Sequence, residues 1–468
     1  MRLLRPAGIL IAAVAAICLV ISAYALVNLD ARAPGFAPIL QFIVLPILAA
    51  LVLLVALRLS PGAKTNLAIV IVSLGGAILL AETYLISLER TREELAVEAA
   101  IAHGFEPDGR ARIEVIRDLE KSGEKAYPHF FPWVGMSERP NGSLVSDMKV
   151  RGQAVFPLAG VADVTTVVCN ELGPWLIYRS DRYGFNNPSD VWDFEATDIA
   201  FVGDSFTLGS CVPRAQHFAG VIRERYPRTI NLGYTAAGPI SNYATLIEYA
   251  KHVRPRHVFW FFFEGNDMAN LAVERRTPIL MRYLDTGFQQ GLIGLQDELD
   301  TLIRGYVEIF RASAKTSKEK RELERDYTTV PLVRRVRKAL GIGPYLASSM
   351  NRGPKLVPDY DLLSRVFEAA NREVAGWGGT LHVVYLPAWR RGRDVESVTP
   401  QYRDTKMEVR AVVEKIGIPF LDVTPAFMSH TDWRRLTSYV SRPGGHYSPS
   451  GYAVVAEVVL KYLEGYPK

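Results

Sequence analysis

The sequence predicts an α/β domain with a parallel sheet covered by helices on both faces, preceded by three membrane-spanning helices. From Asp198 onward, short apolar runs alternate with helical segments, which is the pattern of consecutive βαβ units. Before residue 90, three apolar stretches each reach the roughly 20 residues that a helix needs to cross a bilayer. With 468 residues, the chain is long enough for more than one domain.

The predicted spans cover about residues 7–27, 37–57 and 66–86. A cleaved signal peptide is the alternative for the first, but two further spans follow it and no small-residue cleavage site ends it. Arg2 and Arg5 precede the first span, and Arg58 and Lys64 lie between the second and third. This bias predicts a cytoplasmic amino terminus. Three crossings then place everything after residue 88 in the periplasm, with the chain held in a bacterial inner membrane.

The charge pattern gives no sign of a nucleic-acid partner. The net charge of +5 is scattered, and no Lys/Arg cluster is interleaved with aromatic residues. The sequence also lacks Cys-x-x-Cys, His-Glu-x-x-His, calcium-loop and phosphate-loop patterns. We therefore expect no metal and no cofactor, and nothing indicates a particular protein partner.

Two of the three cysteines could form a disulfide. Cys18 lies in the first span, whereas Cys169 and Cys211 lie in the exported part, where an oxidising compartment would let them pair. Such a bridge would brace the turn around Ser205 against the segment before the main domain. Two separate buried thiols are the alternative.

The chain divides into three regions. Residues 1–90 are the membrane anchor. Residues 91–195, rich in Pro, Gly and aromatic residues, form an N-terminal extension packed on the main domain. Residues 196–468 form the main domain, interrupted by a helical, charged insertion at 271–355. Its predicted strands cover residues 199–202, 229–232, 257–263, 381–386 and 419–423.

Polar residues follow these strands in a suggestive order. Ser205 comes directly after the first strand in Gly-Asp-Ser, and Asn266 follows the third strand in Gly-Asn-Asp. His446 comes late, in Gly-Gly-His-Tyr-Ser-Pro, before the closing helix. Ligands of open α/β sheets bind at the carboxyl edge of the strands, and a hydroxyl beside a base can act there as a nucleophile.

The three motifs, in this order, resemble those of the SGNH hydrolases, also called GDSL esterases and lipases, over roughly residues 195–468. The resemblance implies a three-layer α/β/α sandwich of flavodoxin-like type. It also implies that Ser205 is the nucleophile, His446 the base and Asn266 an oxyanion-hole donor. The Ser205 N–H would be a second donor. The family's usual spacing puts the third donor at Ala236, with Gly238 as the other candidate.

Each of these residues has a structural alternative. Ser205 could be a helix N-cap, and Asn266 could simply form a turn. Of the other histidines, His217 lies about twelve residues after Ser205 and is expected to be too far for a base. His252 and His257 are expected to be structural or on the surface.

The acid of the triad is the main departure from the family pattern. The family often has Asp three residues before the histidine, but Pro443 occupies that position here. Asp432, Asp422 or a backbone carbonyl could orient His446 instead. We expect a dyad-like Ser–His arrangement, because the acid mainly fixes the tautomer and orientation of the base.

These observations predict a membrane-anchored periplasmic serine esterase that removes O-acyl groups, such as acetyl, from a cell-surface glycan. An O-acyltransferase of the same glycans would share the chemistry and differ only in the acceptor. A non-catalytic glycan-binding or assembly protein is the third possibility. The substrate, the acyl group and the oligomeric state do not follow from the sequence.

Overall fold

The computed structural model describes residues 6–28, 39–87, 92–309, 358–388, 400–439 and 445–466. The chain forms two compact units. One contains residues 1–90 and 321–357, and the other contains residues 91–320 and 358–468.

The first unit consists of apolar helices, and the described part runs from residue 6 to residue 87. Ser22 in the first helix donates a hydrogen bond to the Ile43 carbonyl, 3.2 Å away, and so joins the first two segments. Many large apolar side chains are exposed, among them Val52 at 67% and Leu80 at 74%. The α-helices are Pro6–Asn28, Leu45–Ala56 and Pro61–Ser87, with a π-helical turn at Leu40–Val44.

Among the described residues, two helices are long and apolar enough to cross a membrane, rather than the three that the sequence predicts. These are Pro6–Leu26 and Pro61–Leu85. The middle segment contains the shorter apolar helix Leu45–Ala56 after the π-helical turn, and residues 29–38, where the predicted span begins, lie outside the described residues. At 1.5 Å per residue, a twelve-residue helix is about 18 Å long, short of the roughly 30 Å hydrocarbon core. Three crossings therefore stay a prediction.

The extension belongs to the same compact unit as the main domain. It contains helices Arg92–His103 and Arg112–Lys121, one three-stranded sheet and two small hairpins. Leu172 and Phe105 pack into the core on one face of the central sheet. The strands are β1 Ala126–Pro128, β2 Met136–Glu138, β3 Leu144–Ser146, β4 Lys149–Val150, β5 Gln153–Ala154, β6 Thr165–Val167 and β7 Ile177–Arg179. In the larger sheet β6 lies between β1 and β7, and the hairpins are β2–β3 and β4–β5.

The central sheet has five parallel strands in the order β12-β11-β10-β8-β9. In chain order this is 5-4-3-1-2, the flavodoxin-like arrangement, whose topological switch point lies between the first and third strands. Here that point lies between β8 and β10, the two strands that precede Ser205 and Asn266. The strands are β8 Ile199–Val202, β9 Thr229–Asn231, β10 His257–Phe263, β11 Thr380–Leu386 and β12 Phe420–Asp422.

Helices cover both faces of this sheet, which confirms the predicted three-layer architecture. Ala200 and Val202 pack into one core together with residues of helix Tyr360–Gly376. Their neighbours Ile199 and Phe201 point to the opposite face and pack with residues of the C-terminal helix Pro449–Leu463. Residues 296–309 are also helical, up to the end of that described range. The other α-helices that lie wholly within the described residues are Ser205–Leu208, Phe218–Arg223, Pro239–Thr245, Lys251–Val253, Asp267–Glu274, Pro278–Met281, Pro400–Ile416 and Thr424–Met428.

The first part of the insertion packs onto the main domain. Its described residues, up to 309, contribute buried side chains such as Leu292 and Ile303 to the larger core. The buried Glu248 carboxylate accepts hydrogen bonds from the Tyr283 hydroxyl at 2.6 Å and the Leu292 N–H at 2.8 Å. The predicted insertion continues to residue 355, beyond the described part.

Candidate active site

Ser205 opens the turn that follows β8. The preceding Asp204 is the N-cap of helix Ser205–Leu208, and its carboxylate accepts a hydrogen bond from the Phe206 N–H at 2.9 Å. Gly209, with φ +83°, ends this short helix in the left-handed region. The capping alternative for Ser205 is therefore wrong, because Asp204 does the capping and leaves the Ser205 hydroxyl available.

His446 lies against that hydroxyl. Its Nε2 is 2.8 Å from Ser205 Oγ, within hydrogen-bond distance. The imidazole packs on the ring of Phe206, with centroids 4.9 Å apart, and Phe206 in turn stacks on Phe263. The His446 carbonyl accepts a hydrogen bond from the Ser438 N–H at 2.8 Å. Residues from opposite ends of the main domain therefore meet at the carboxyl edge of the sheet.

A carboxylate from the extension contacts the His446 ring on the side that faces away from Ser205. Glu171 Oε2 lies 3.1 Å from His446 Nδ1 and accepts a hydrogen bond from the His446 backbone N–H at 2.7 Å. The expected dyad-like arrangement is thus not what the structure shows. Sequence reasoning missed Glu171, because it is 275 residues away from His446 along the chain. The nearest signal was the predicted disulfide, which brings Cys169, and hence Glu171, close to the Ser205 turn.

The carboxylates considered from the sequence have other partners. Asp422 binds Lys406 at 2.9 Å and accepts a hydrogen bond from the Thr424 N–H. Asp432, half exposed, pairs with Arg435 at 3.1 Å. Pro443, at the position of the family's acid, lies outside the described residues.

The charges of Glu171 and His446 stabilise each other. Burial would raise the pKa of the Glu171 carboxyl, but the charge of His446 and its hydrogen bonds outweigh this and lower the pKa below its ordinary value. Burial likewise lowers the pKa of the His446 imidazole, whereas the Glu171 carboxylate, and to a lesser extent Asp204, raise it; the net pKa is raised. Glu171 is therefore ionised near neutral pH, as an orienting acid requires.

Asn266 lies next to the turn that carries Ser205. Its Nδ2 donates a hydrogen bond to Asp204 Oδ2 at 3.0 Å, which ties the turn after β10 to the turn after β8. The next residue, Asp267, is fully buried and accepts the Phe263 N–H at 3.0 Å. Burial, and then the charge of Asp204, raise the pKa of Asp267 well above its ordinary value. Asn266 is thus held against the turn that carries Ser205, and it remains a candidate oxyanion donor.

The two candidates for the third oxyanion donor are now distinguishable. The Gly238 N–H donates to Glu274 Oε1 at 2.9 Å, and the N–H groups of Ile240 and Ser241 also bind this carboxylate. Gly238 is therefore not available, and that part of the prediction is wrong. Ala236 has φ +59°, and its carbonyl accepts the Trp133 indole N–H at 3.2 Å. Within the described residues, neither the Ala236 N–H nor the Ser205 N–H has a hydrogen-bond acceptor, so both remain candidate donors.

Cys169 and Cys211 form a disulfide, with Cα atoms 5.2 Å apart. Cys211 Sγ, a Glu171 carboxylate oxygen and a His446 ring nitrogen all lie within 4.8 Å of one another. Among the described residues this is the one group with the spacing of metal ligands. A disulfide sulfur is not a thiolate, however, so in the oxidised chain this group does not offer the ligand set of a metal site.

His217, His257 and His382 have structural positions, whereas His252 is exposed on the surface. His217 caps helix Phe218–Arg223 through the Ala219 N–H, and burial lowers the pKa of its imidazole to about 3. His257 contacts His382 at 3.1 Å, and both belong to the amino-terminal part of the strands, away from the edge that carries Ser205.

Comparison with known proteins gives structural neighbours only. No protein-family model and no curated protein sequence matches this chain. A lipolytic protein of the G-D-S-L family from Veillonella parvula is 13% identical, with 58% of this chain and 100% of that chain covered and a TM-score of 0.31. A lipase/acylhydrolase from Enterococcus faecalis is 12% identical, with 58% and 97% covered and a TM-score of 0.32.

An acetyl xylan esterase from Geobacillus stearothermophilus is likewise similar to this chain. It is 12% identical, with 59% of this chain and 99% of that chain covered and a TM-score of 0.30. Similarities this distant do not bear on activity or substrate. The sheet order and the contacts that join Ser205, His446 and Glu171 are observed in this chain's own structure and do not depend on these comparisons.

Proposed function

We propose that this protein is a membrane-anchored serine esterase that removes O-acyl groups from a cell-surface glycan, with its catalytic domain in the periplasm of a bacterium. The observation that carries the proposal is the 2.8 Å contact between Ser205 Oγ and His446 Nε2 at the switch point of the sheet. A serine hydroxyl is a weak nucleophile at neutral pH and needs such a base to accept its proton.

The reaction follows from these positions. Ser205 Oγ attacks the ester carbonyl carbon, and its proton moves to His446 Nε2. The negative oxygen that forms is stabilised by N–H donors, for which the Ser205 N–H, the Ala236 N–H and the Asn266 amide are the candidates. The ester C–O bond then breaks, and His446 gives its proton to the departing sugar oxygen, which becomes a free hydroxyl. Water attacks the acyl-serine, passes a proton to His446 and releases the acid, after which Ser205 regains its proton.

The anchor and the disulfide support the proposed location. The exposed apolar side chains of Pro6–Asn28 and Pro61–Ser87 would face lipid in a bilayer, where burial of apolar surface stabilises them. The Cys169–Cys211 bond is typical of an oxidising compartment. An esterase tethered at the outer face of the inner membrane would meet acylated polysaccharides and their precursors, and this is why we propose a glycan ester.

The geometry favours catalysis over simple binding. The sequence offered one argument for a non-catalytic role, namely the missing Asp before His446. Glu171 supplies a carboxylate at His446 Nδ1 from elsewhere in the chain, which removes that argument.

Labelling with a fluorophosphonate tests the proposal, because this reagent reacts with activated serines. We expect the full-length protein in detergent to be labelled at Ser205, and both Ser205→Ala and His446→Ala to lose labelling. Ser210→Ala, a buried serine five residues further on, should label like the wild type and is the matched control. A folded wild-type protein that does not react would overturn the proposal. With labelling established, an acylated oligosaccharide supplied with and without a free acceptor sugar distinguishes transfer to water from transfer to sugar.

A further inference from the structure

Glu171 contacts the ring nitrogen of His446 that faces away from the proposed nucleophile, Ser205. Its Oε2 lies 3.1 Å from Nδ1 of His446, while Nε2 of the same ring lies 2.8 Å from Ser205 Oγ. A carboxylate at Nδ1 favours the tautomer in which the ring proton sits on that nitrogen. Nε2 is then left unprotonated and can accept the proton of Ser205.

The same oxygen also fixes the backbone of the base. Glu171 Oε2 accepts the His446 N–H at 2.7 Å, so one carboxylate oxygen restrains both the ring and the main chain. The side chains of Glu171 and His446 are 22% and 21% exposed, so the pair is shielded from most of the solvent. A charge-assisted contact is stronger in such surroundings than on the surface.

The disulfide determines where Glu171 can be. Cys169 lies two residues before it in the turn between β6 and β7, and Cys211 lies in the segment after the nucleophile helix. Cys211 Sγ is within 4.8 Å of both the Glu171 carboxylate and the His446 ring. The Cys169 carbonyl also accepts the Leu176 N–H at 2.7 Å, which closes the turn that carries Glu171. The covalent bond therefore joins the acid's turn to the nucleophile's segment right beside the contact it supports.

We propose that Glu171 is the positioning acid of His446 and that the Cys169–Cys211 disulfide holds it there, so that the site is complete only in the oxidised chain. This inference rests on the proposed esterase function. It predicts that the site needs the exported N-terminal extension as well as the α/β domain, because the extension supplies Glu171, one of the three side chains in contact. It also predicts that reduction lowers turnover without removing Ser205 or His446.

Substitution of Glu171 by Gln tests the first half. With p-nitrophenyl acetate and the full-length protein in detergent, we expect kcat to fall at least a hundredfold while KM changes by less than twofold. Glu171 and Asp204 are the charged groups that raise the pKa of His446. The acid limb of kcat/KM should therefore move to lower pH in the variant. Glu171→Asp, which keeps the charge on a shorter side chain, should recover part of the activity.

Asp432→Asn is the matched control, because Asp432 was one of the two acids that the sequence offered and its carboxylate binds Arg435 instead. It should keep the wild-type kcat and pH profile. A Glu171→Gln variant that does the same would show that Glu171 only ties the backbone of His446, and the proposal would be wrong. Fluorophosphonate labelling of the wild type separates this outcome from failure of the esterase function itself.

Removal of the disulfide tests the second half. The double variant Cys169→Ser, Cys211→Ser should lose at least tenfold in kcat. Because both changes act on the same contact, the variant that combines it with Glu171→Gln should lose no more than Glu171→Gln alone. Cys18→Ser, which changes the cysteine outside the disulfide, should have no effect. Where the double variant does not fold, brief reduction of the folded wild type, followed at once by fluorophosphonate labelling, makes the same comparison. A reduced, folded protein with an unchanged rate would refute the role of the disulfide.

Discussion

Gly445, directly before the proposed base, shows how closely the residues of this site are fitted together. It has φ +82°, in the left-handed region that favours glycine. A Cβ at this position would lie 3.0 Å from Glu171 Oε2 and 3.0 Å from a ring carbon of Tyr439. The approach of the Glu171 carboxylate to the His446 backbone therefore depends on the missing side chain.

We predict that Gly445→Ala destabilises the protein and also lowers its activity. The left-handed backbone costs an alanine about 1–2 kcal/mol. Displacement of Glu171 should lower kcat at least tenfold. Thermal unfolding and p-nitrophenyl acetate hydrolysis measure the two effects.

Gly417→Ala is the control for backbone strain alone. Gly417 has φ +84°, but a Cβ there would meet nothing within 4 Å. This variant should lose similar stability and keep its kcat. Equal activity loss in the two variants would mean that the contact with Glu171 is not the cause.

At the scale of elements, the extension reaches the candidate oxyanion loop as well as the base. Trp133, in the 3₁₀ turn Pro132–Gly135, donates its indole N–H to the Ala236 carbonyl at 3.2 Å. The ring also packs edge-on against Phe156, with centroids 5.1 Å apart. Ala236 is held in a left-handed conformation that an alanine rarely adopts, so this bond fixes an unusual peptide orientation.

We predict that Trp133→Phe lowers kcat about threefold to tenfold and leaves KM nearly unchanged. The phenyl ring keeps much of the packing, and the lost hydrogen bond is worth about 0.5–1.5 kcal/mol. Single-turnover kinetics with p-nitrophenyl acetate would measure the acylation step. Trp377→Phe is the matched control, because its indole N–H also binds a backbone carbonyl, that of Pro255, at the opposite end of the sheet. A similar decrease in both variants would argue against a role for the Trp133 contact in catalysis.

The sequence predicted the strands of the sheet better than it predicted the site. The strands β8 and β10 have the predicted bounds, because short apolar runs between turn residues carry their own local signal. Ser205 and His446 also lie in recognisable local motifs. Glu171 has no such motif, and its role depends on tertiary contact with a residue 275 positions away.

The local sequence likewise could not show whether Ala236 or Gly238 is available as the third oxyanion donor. Both residues have a backbone N–H in the same loop, and spacing alone does not separate them. The difference arises because the carboxylate of the buried Glu274, in helix Asp267–Glu274, accepts a hydrogen bond from the Gly238 N–H at 2.9 Å. Which donor is available therefore depends on packing between two helices.

At the scale of the whole molecule, the number of membrane crossings determines the side on which the unit that contains Ser205 and His446 lies. An odd number places it opposite the amino terminus and an even number on the same side. The helices Pro6–Leu26 and Pro61–Leu85 are long enough to cross. The number of crossings is therefore odd if the middle segment also crosses, and even if it does not. With the cytoplasmic amino terminus that the sequence predicts, the Cys169–Cys211 bond would lie in an oxidising compartment only after an odd number of crossings, which is why we propose three.

We predict that alkaline phosphatase fused after residue 95 is active in a bacterial host, because that enzyme folds only outside the cytoplasm. A fusion after residue 60, between the second and third segments, should be inactive, since Arg58 and Lys64 favour the cytoplasm there. An inactive fusion at 95 would place the unit that contains Ser205 and His446 inside and contradict the proposed location.

The distance along the chain between Glu171 and His446 has a consequence for synthesis. A chain exported from its amino terminus presents Glu171 and Ser205 long before His446. The nascent protein therefore exposes the proposed acid and nucleophile before the proposed base has been made. On the proposed mechanism, a chain interrupted before residue 446 lacks its base, so we expect such incomplete chains to be inert toward esters.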